Sequence, residues 1–202
     1  MTGRTNISSM GNAAILDRPM VALLCSEKCP GKLILDTYDL AKLFRKQGVT
    51  VISGFHSPME EECLRILLRS PHPVVWCLAR GLFKRIPTQP VDCRPAIDEG
   101  RLLIISPFKA SLSRATQKTA MIRNRVIADL AAAVVVAHAD PDSDSKVGAL
   151  ACDLLAAGKP VYTFDHPANA AILARGAKDI SEFELAPFAA ALADGGQTPR
   201  LR

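Results

Sequence analysis

Three consecutive polar residues, Arg123-Asn124-Arg125, interrupt a stretch whose other residues are mostly apolar, and an alanine- and valine-only run over 131–137 follows closely. Two guanidiniums and an amide within three positions suit a phosphate or a carboxylate. Each guanidinium is a planar fork of donors that can grip an oxyanion at two points. A structural ion pair beside a solvated arginine uses the same residue types, so the triplet takes its meaning from its surroundings. Lys109, Arg114 and Lys118 precede it, and Asp129 is the single acidic residue between Lys109 and Leu130. A set this one-sided would neutralise several phosphates and make binding fall with salt. The alternative is a basic helix face that meets only water.

Other polar residues fall where apolar runs end. Ser26 follows one run, Ser53-Gly54-Phe55 a second, and Gly81 a third. The amides of Ser53 and Gly54 could cradle a phosphate, or the glycine serves only a tight turn. His56 with Glu60, Glu61 and Glu62 suggests acid–base chemistry, but three glutamates opening a helix also complement its dipole as solvated charges, the reading adopted here. His138 and His166 read as solvated or hydrogen-bonded loop residues. The acidic segment 140–146 lacks the ligand spacing of a calcium loop. It reads as a turn with Ser145 or Asp144 capping a helix, where Lys146 and free amides could meet an anion. Gly-x-Gly-x-x-Gly and the Walker lysine motif are both absent, which argues against dinucleotide and P-loop sites. Cys25-x-x-x-Cys29 has no second pair, so no metal site is expected. No catalytic residue and no cofactor is expected either. The expected contacts are Ser26, Ser53, Gly54, Phe55, Gly81, Lys109, Arg114, Lys118, Arg123, Asn124, Arg125, Ser145 and Lys146.

Those residues need a scaffold, and the hydrophobic pattern predicts one. Strands are expected at 20–25, 49–53, 73–78, 101–106, 132–137 and 160–164. Helices are expected at 35–47, 58–69, 115–131, 147–157, 169–175 and 181–193, and 82–100 reads as an excursion loop. Within the expected 115–131 helix, Ile122, Val126, Ile127 and Leu130 recur at helical spacing and are expected to face the core. Alternating strands and helices give an α/β fold with a doubly wound, mostly parallel, Rossmann-like sheet in a single domain. In such sheets ligands sit beyond the carboxyl ends of the strands, where these polar residues collect.

The chain has 202 residues, enough for one sizeable core. It is 49% hydrophobic but only 5% aromatic, so that core is aliphatic. The expected organisation is a flexible leader over 1–18, the Rossmann-like domain over 19–195 and a flexible tail over 196–202. The net charge of +5 permits a nucleic-acid or nucleotide partner without demanding one. Six cysteines, several inside apolar patterns, fit a reduced, cytoplasmic protein. No apolar stretch is long enough for a membrane span.

At these residues the chain resembles the DNA-processing protein A family. The resemblance runs in order from about Val21 to Ile180. Leu24-Cys25-Ser26-Glu27 stands where the family has Val-Gly-Ser-Arg, and 48–54 matches closely. Arg80-Gly81-Leu82 with Pro87 resembles the family's glycine-rich loop, and Arg123-Asn-Arg-Val-Ile-Ala128 is the most specific piece. Segments 158–164 and 169–177 complete the order. Glu27, Met59-Glu60-Glu61 and Ser145-Lys146-Val147-Gly148 depart from the family's pattern.

The resemblance implies single-stranded DNA binding, homodimerisation and delivery of the strand to a RecA-type recombinase during natural transformation. It implies no robust catalytic reaction, with Lys109, Arg114, Lys118, Arg123 and Arg125 as phosphate contacts. A nucleotide- or phosphate-binding protein using the same pocket is the alternative, motivated by the altered loops. Trp76 reads as a strand residue, leaving Phe55, Phe83 and Phe108 as loop aromatics, so backbone contact is expected to outweigh base stacking.

Overall fold

The structure is a computed structural model and describes residues 7–139 and 146–189. In chain order its elements are β1 (Ser8–Gly11), β2 (Met20–Cys25), α1 (Gly31–Gln47), β3 (Thr50–Ser53), α2 (Pro58–Leu67), β4 (Val74–Cys77) and α3 (Arg94–Asp98). Then come β5 (Leu102–Ser106), α4 (Gln117–Leu130), β6 (Ala133–His138), α5 (Lys146–Ala156), β7 (Val161–Thr163), α6 (Ala170–Leu173) and β8 (Lys178–Asp179). The strands form one sheet in the order β1-β5-β4-β3-β2-β6-β7-β8. Only β1, at one edge, runs antiparallel to its neighbour.

Strands β2 to β6 are buried at every position, as expected where helices cover both faces of a parallel sheet. Successive residues feed opposite layers. Val21, Leu23, Val51, Trp76 and Ile104 pack with α1 and α2 through Leu33, Phe44, Met59 and Leu64. Met20, Ala22, Leu24, Ile52 and Val136 pack with α4 and α5 through Ile127, Ala128, Leu150 and Leu154. The switch from one layer to the other comes with the crossover from β5, through α4, to β6. The order therefore reverses between β2 and β6, where a doubly wound sheet opens a crevice.

Three expectations are corrected. Within the expected leader 1–18, residues 8–11 form β1 along β5 and residues 13–17 form a 3-10 turn that buries Ile15. Polar Ser8 and Ser9 hide the signal, because an edge strand needs little apolar surface. The expected helix over 181–193 is a single 3-10 turn, Ile180–Glu182, with no helix onward to residue 189. Pro187 opposes a longer helix, and Phe183 is drawn instead against Phe44, Tyr162 and Phe188. Third, the core face of α4 is the predicted stripe only in part: Ile127 is buried and Val126 and Leu130 pack against the core, but Ile122 does not face it. Arg123, Asn124, Ile127 and Ala128 are buried, while Ile122 is 41% exposed.

Candidate nucleic-acid interface

Seven strands, β2 to β8, end at the same edge of the sheet, and β3 and β4 begin the site there. The Ser53 hydroxyl donates to the Leu23 carbonyl at 2.7 Å. Ser53 is wholly buried, so its hydroxyl ties β3 to β2 instead of facing a ligand. The Trp76 indole N–H donates to the Gly54 carbonyl at 2.8 Å. Phe55, buried at 1% exposure, turns the chain with a φ of +42°, a conformation uncommon for a bulky residue. Ser57 then caps α2 in a reciprocal capping box with Glu60, which satisfies amide groups at the helix start.

Arg123 comes up from α4 beneath this turn and is 2% exposed. A Cβ on Gly54 would stand 1.8 Å from its Nη1, so position 54 must be glycine for the guanidinium to lie there. Arg123 Nη2 lies 3.3 Å from His56 Nδ1. The same imidazole nitrogen is 2.6 Å from Glu60 Oε2. The backbone N–H groups of His56 and Ser57 also donate to that oxygen, at 3.0 and 3.3 Å. Burial pushes the Glu60 carboxyl upward, but the His56 hydrogen bond and the charges of His56 and Arg123 outweigh it and hold the group below its ordinary range. Burial also lowers the Arg123 guanidinium, against the upward pull of Glu60. Glu60, read from sequence as a solvated charge, is thus a buried carboxylate at 2% exposure.

Above these groups opens a cleft of about 460 Å³ whose lining includes His56, Trp76, Arg80, Phe83 and Arg123. The rings of Trp76 and Phe83 lie 5.6 Å apart, and the Arg80 guanidinium sits 5.4 Å from the Phe83 ring centroid. The 79–83 loop is fastened to the segment after β5. Gly81 N–H donates to the Leu112 carbonyl at 2.8 Å, and the Ser106 hydroxyl donates to the Arg80 carbonyl at 2.6 Å. A Cβ on Gly81 would meet the Lys109 carbonyl at 2.5 Å, so glycine is needed for this close approach as well.

The thirteen sequence-derived positions therefore separate. Gly54, Phe55 and Arg123 line the cleft, and Gly81 braces its loop. Lys109, Arg114 and Lys118 are exposed along the approach to α4 and its first turn. Arg125 points away to Asp153 on α5, at 2.7 Å, and Asn124 is buried. Ser26 N–H donates to the His138 carbonyl at 2.9 Å, Lys146 opens α5, and Ser145 lies outside the described residues. His138 is buried against Asn169 at 3.0 Å, and His166 accepts from Ala168 N–H at 3.1 Å. Sequence reasoning missed Arg80 and the inward-facing Trp76. The available signal was spacing, since Trp76, Arg80 and Phe83 flank the end of one strand.

The Cys25 thiol, buried and hydrogen-bonded to Cys29, is raised, and Cys29 is lowered by that bond. Among the described residues no group of three or more His, Cys, Asp or Glu side chains is placed to hold a metal ion.

The model of the family described as DNA recombination-mediator protein A matches residues 5–190. DNA processing protein A from Helicobacter pylori, described for its single-stranded DNA binding mode, superposes with a TM-score of 0.71 at 20% identity. That match covers 93% of this chain and 87% of the other. DNA processing protein A from Streptococcus pneumoniae gives 0.69 at 19% identity, over 88% of this chain and 66% of the other. The molybdenum cofactor binding protein of Rippkaea orientalis shares the fold more distantly, with a TM-score of 0.54 at 12% identity over 80% of this chain and 88% of the other. Comparison with curated protein sequences gives no match. On the family match over 5–190, the chain belongs to the DNA recombination-mediator protein A family.

Proposed function

We propose that this protein binds single-stranded DNA along the carboxyl edge of its sheet, through phosphate contacts and without chemical conversion of the strand. The observation that supports this most is the placement of charge. Arg123 is fixed beneath the Gly54 turn, and Lys109, Arg114 and Lys118 stand exposed on the segment that leads into the same helix. Arg125 is left out of the contact set because Asp153 engages it. The single-stranded DNA binding of the Helicobacter pylori relative supports the same reading. Delivery of the strand to a RecA-type recombinase, by a cytoplasmic homodimer during DNA uptake, goes with it.

Fluorescence anisotropy of a labelled oligothymidine at several salt concentrations tests the reading. Each neutralised phosphate of a single strand contributes about 0.7 to the slope of log affinity against log salt. Replacing Lys109, Arg114 and Lys118 together by alanine should weaken binding and flatten that slope by about 2. Binding that ignores salt, or a slope that the triple variant leaves unchanged, rules the proposed interface out.

A further inference from the structure

The cleft is more than a stretch of basic surface. Among the described residues, two buried side-chain polar atoms have no hydrogen-bond partner, Arg80 Nε and Arg123 Nε. Both arginines line this one cleft. Buried donors in native proteins are nearly always matched, so unmatched guanidinium donors on two arginines that line the same cleft point to an absent acceptor. An oxyanion is the acceptor that guanidiniums fit best. Beside the charges stand the Phe83 and Trp76 rings, with the Arg80 guanidinium 5.4 Å from the Phe83 centroid, so cationic and aromatic groups share one lining that suits a phosphate joined to a flat π-system. A volume of about 460 Å³ lies within the range of small-molecule sites. The His56 side chain, 40% exposed at the lining, adds a polar ring edge.

We propose that the cleft receives one nucleoside monophosphate unit, with its base against Phe83 and Trp76 and its phosphate at Arg80 and Arg123. The unit is either a free nucleotide or the phosphorylated end of a strand. A terminal phosphate fits better than an internal one. A monoester brings up to two negative charges to the two guanidiniums that line the cleft, where an internal diester brings one. As a strand end, the proposal rests on the single-strand reading above; as a free nucleotide it stands apart from it.

Trp76 is the only tryptophan of the chain, so its fluorescence reports directly on the cleft. The experiment titrates the full chain with AMP, dTMP, inorganic phosphate and two oligothymidines, identical except for a 5′-phosphate. Calorimetry on the same samples gives affinities. The variants are Arg80→Ala and Arg80→Lys. The loop is anchored by backbone groups, the Arg80 carbonyl at Ser106 and Gly81 N–H at Leu112, so both variants should fold. Saturable quenching by AMP or dTMP, about tenfold weaker in Arg80→Ala, supports the cleft with a free nucleotide as its ligand. Quenching by the 5′-phosphorylated oligomer alone, lost in Arg80→Ala, supports a strand end. Arg80→Lys, which keeps the charge but loses the fork, should fall between. No preference for the phosphorylated oligomer and no nucleotide binding overturns the proposal, as does binding that Arg80→Ala leaves intact. The single-strand reading is tested on Lys109, Arg114 and Lys118 with an unphosphorylated strand, so either reading can fail without the other.

Discussion

Glu60 holds its charge in a place water does not reach, because donors converge on its Oε2 and a cation lies close by. His56 Nδ1, two backbone N–H groups and Arg123 supply the field. Since the folded carboxyl is held below its ordinary value near 4.5, it adds stability that is fully present above pH 4.5. That stability is lost as the pH falls through the lower folded value. Glu60→Gln should therefore cost about 1.5–3 kcal/mol at pH 7, as expected for a buried charge-assisted hydrogen bond. Its stability should also fall less steeply than the parent's on acidification below pH 4.5. Glu61→Gln and Glu62→Gln, at half-buried positions of α2, should change stability by no more than about 0.5 kcal/mol. Denaturant melts of the three variants from pH 7 to pH 3 decide this, and a Glu60→Gln protein as stable as its parent at pH 7 would show that the buried network does not hold the turn.

At the scale of the element, α4 explains both why the site was visible in the sequence and why its orientation was not. The Arg123-Asn124-Arg125 triplet announced a helix with an unusual polar load, and the helix is there, capped by Thr116 and Thr119. The apolar positions suggested a stripe through Ile122, yet the helix turns Arg123 and Asn124 inward and leaves Met121 49% and Ile122 41% exposed. A hydrophobic stripe locates the core only while buried residues are apolar. Here the gap left by Gly54 accepts a guanidinium, and that cavity lies 69 positions away in sequence, beyond the reach of local periodicity. Ile127→Ala, at a wholly buried position, should cost about 2–5 kcal/mol. Ile122→Gln and Met121→Gln should stay within about 0.5 kcal/mol. Urea midpoints discriminate the two faces, and a large loss at Ile122 would mean that α4 sits in the rotation the apolar pattern suggested.

For the molecule as a whole, the six main strands were legible because runs such as Met20–Cys25 and Ala133–His138 bury both faces. The carboxyl edge followed from their parallel direction. The strand that closes the sheet was not legible. Ser8–Gly11 is exposed at three of its four positions and owes its place to backbone pairing with Leu103–Ser106, not to apolar surface of its own. Yet β5, which it covers, is entirely buried and reads Leu-Leu-Ile-Ile-Ser. Without β1, that run would present unpaired N–H and C=O groups along an apolar edge, the arrangement that recruits strands from other molecules. Deleting residues 1–11 should therefore lower the melting temperature and drive concentration-dependent association, seen by light scattering. β1 pairs with β5 as far as Ser106, while the proposed contacts lie beyond that strand on the 109–118 segment, so DNA affinity per folded chain should hold within about twofold, under 0.5 kcal/mol. If the shortened chain keeps its parent's state of association and an unchanged melting temperature, the β1–β5 pairing contributes nothing to closing that edge.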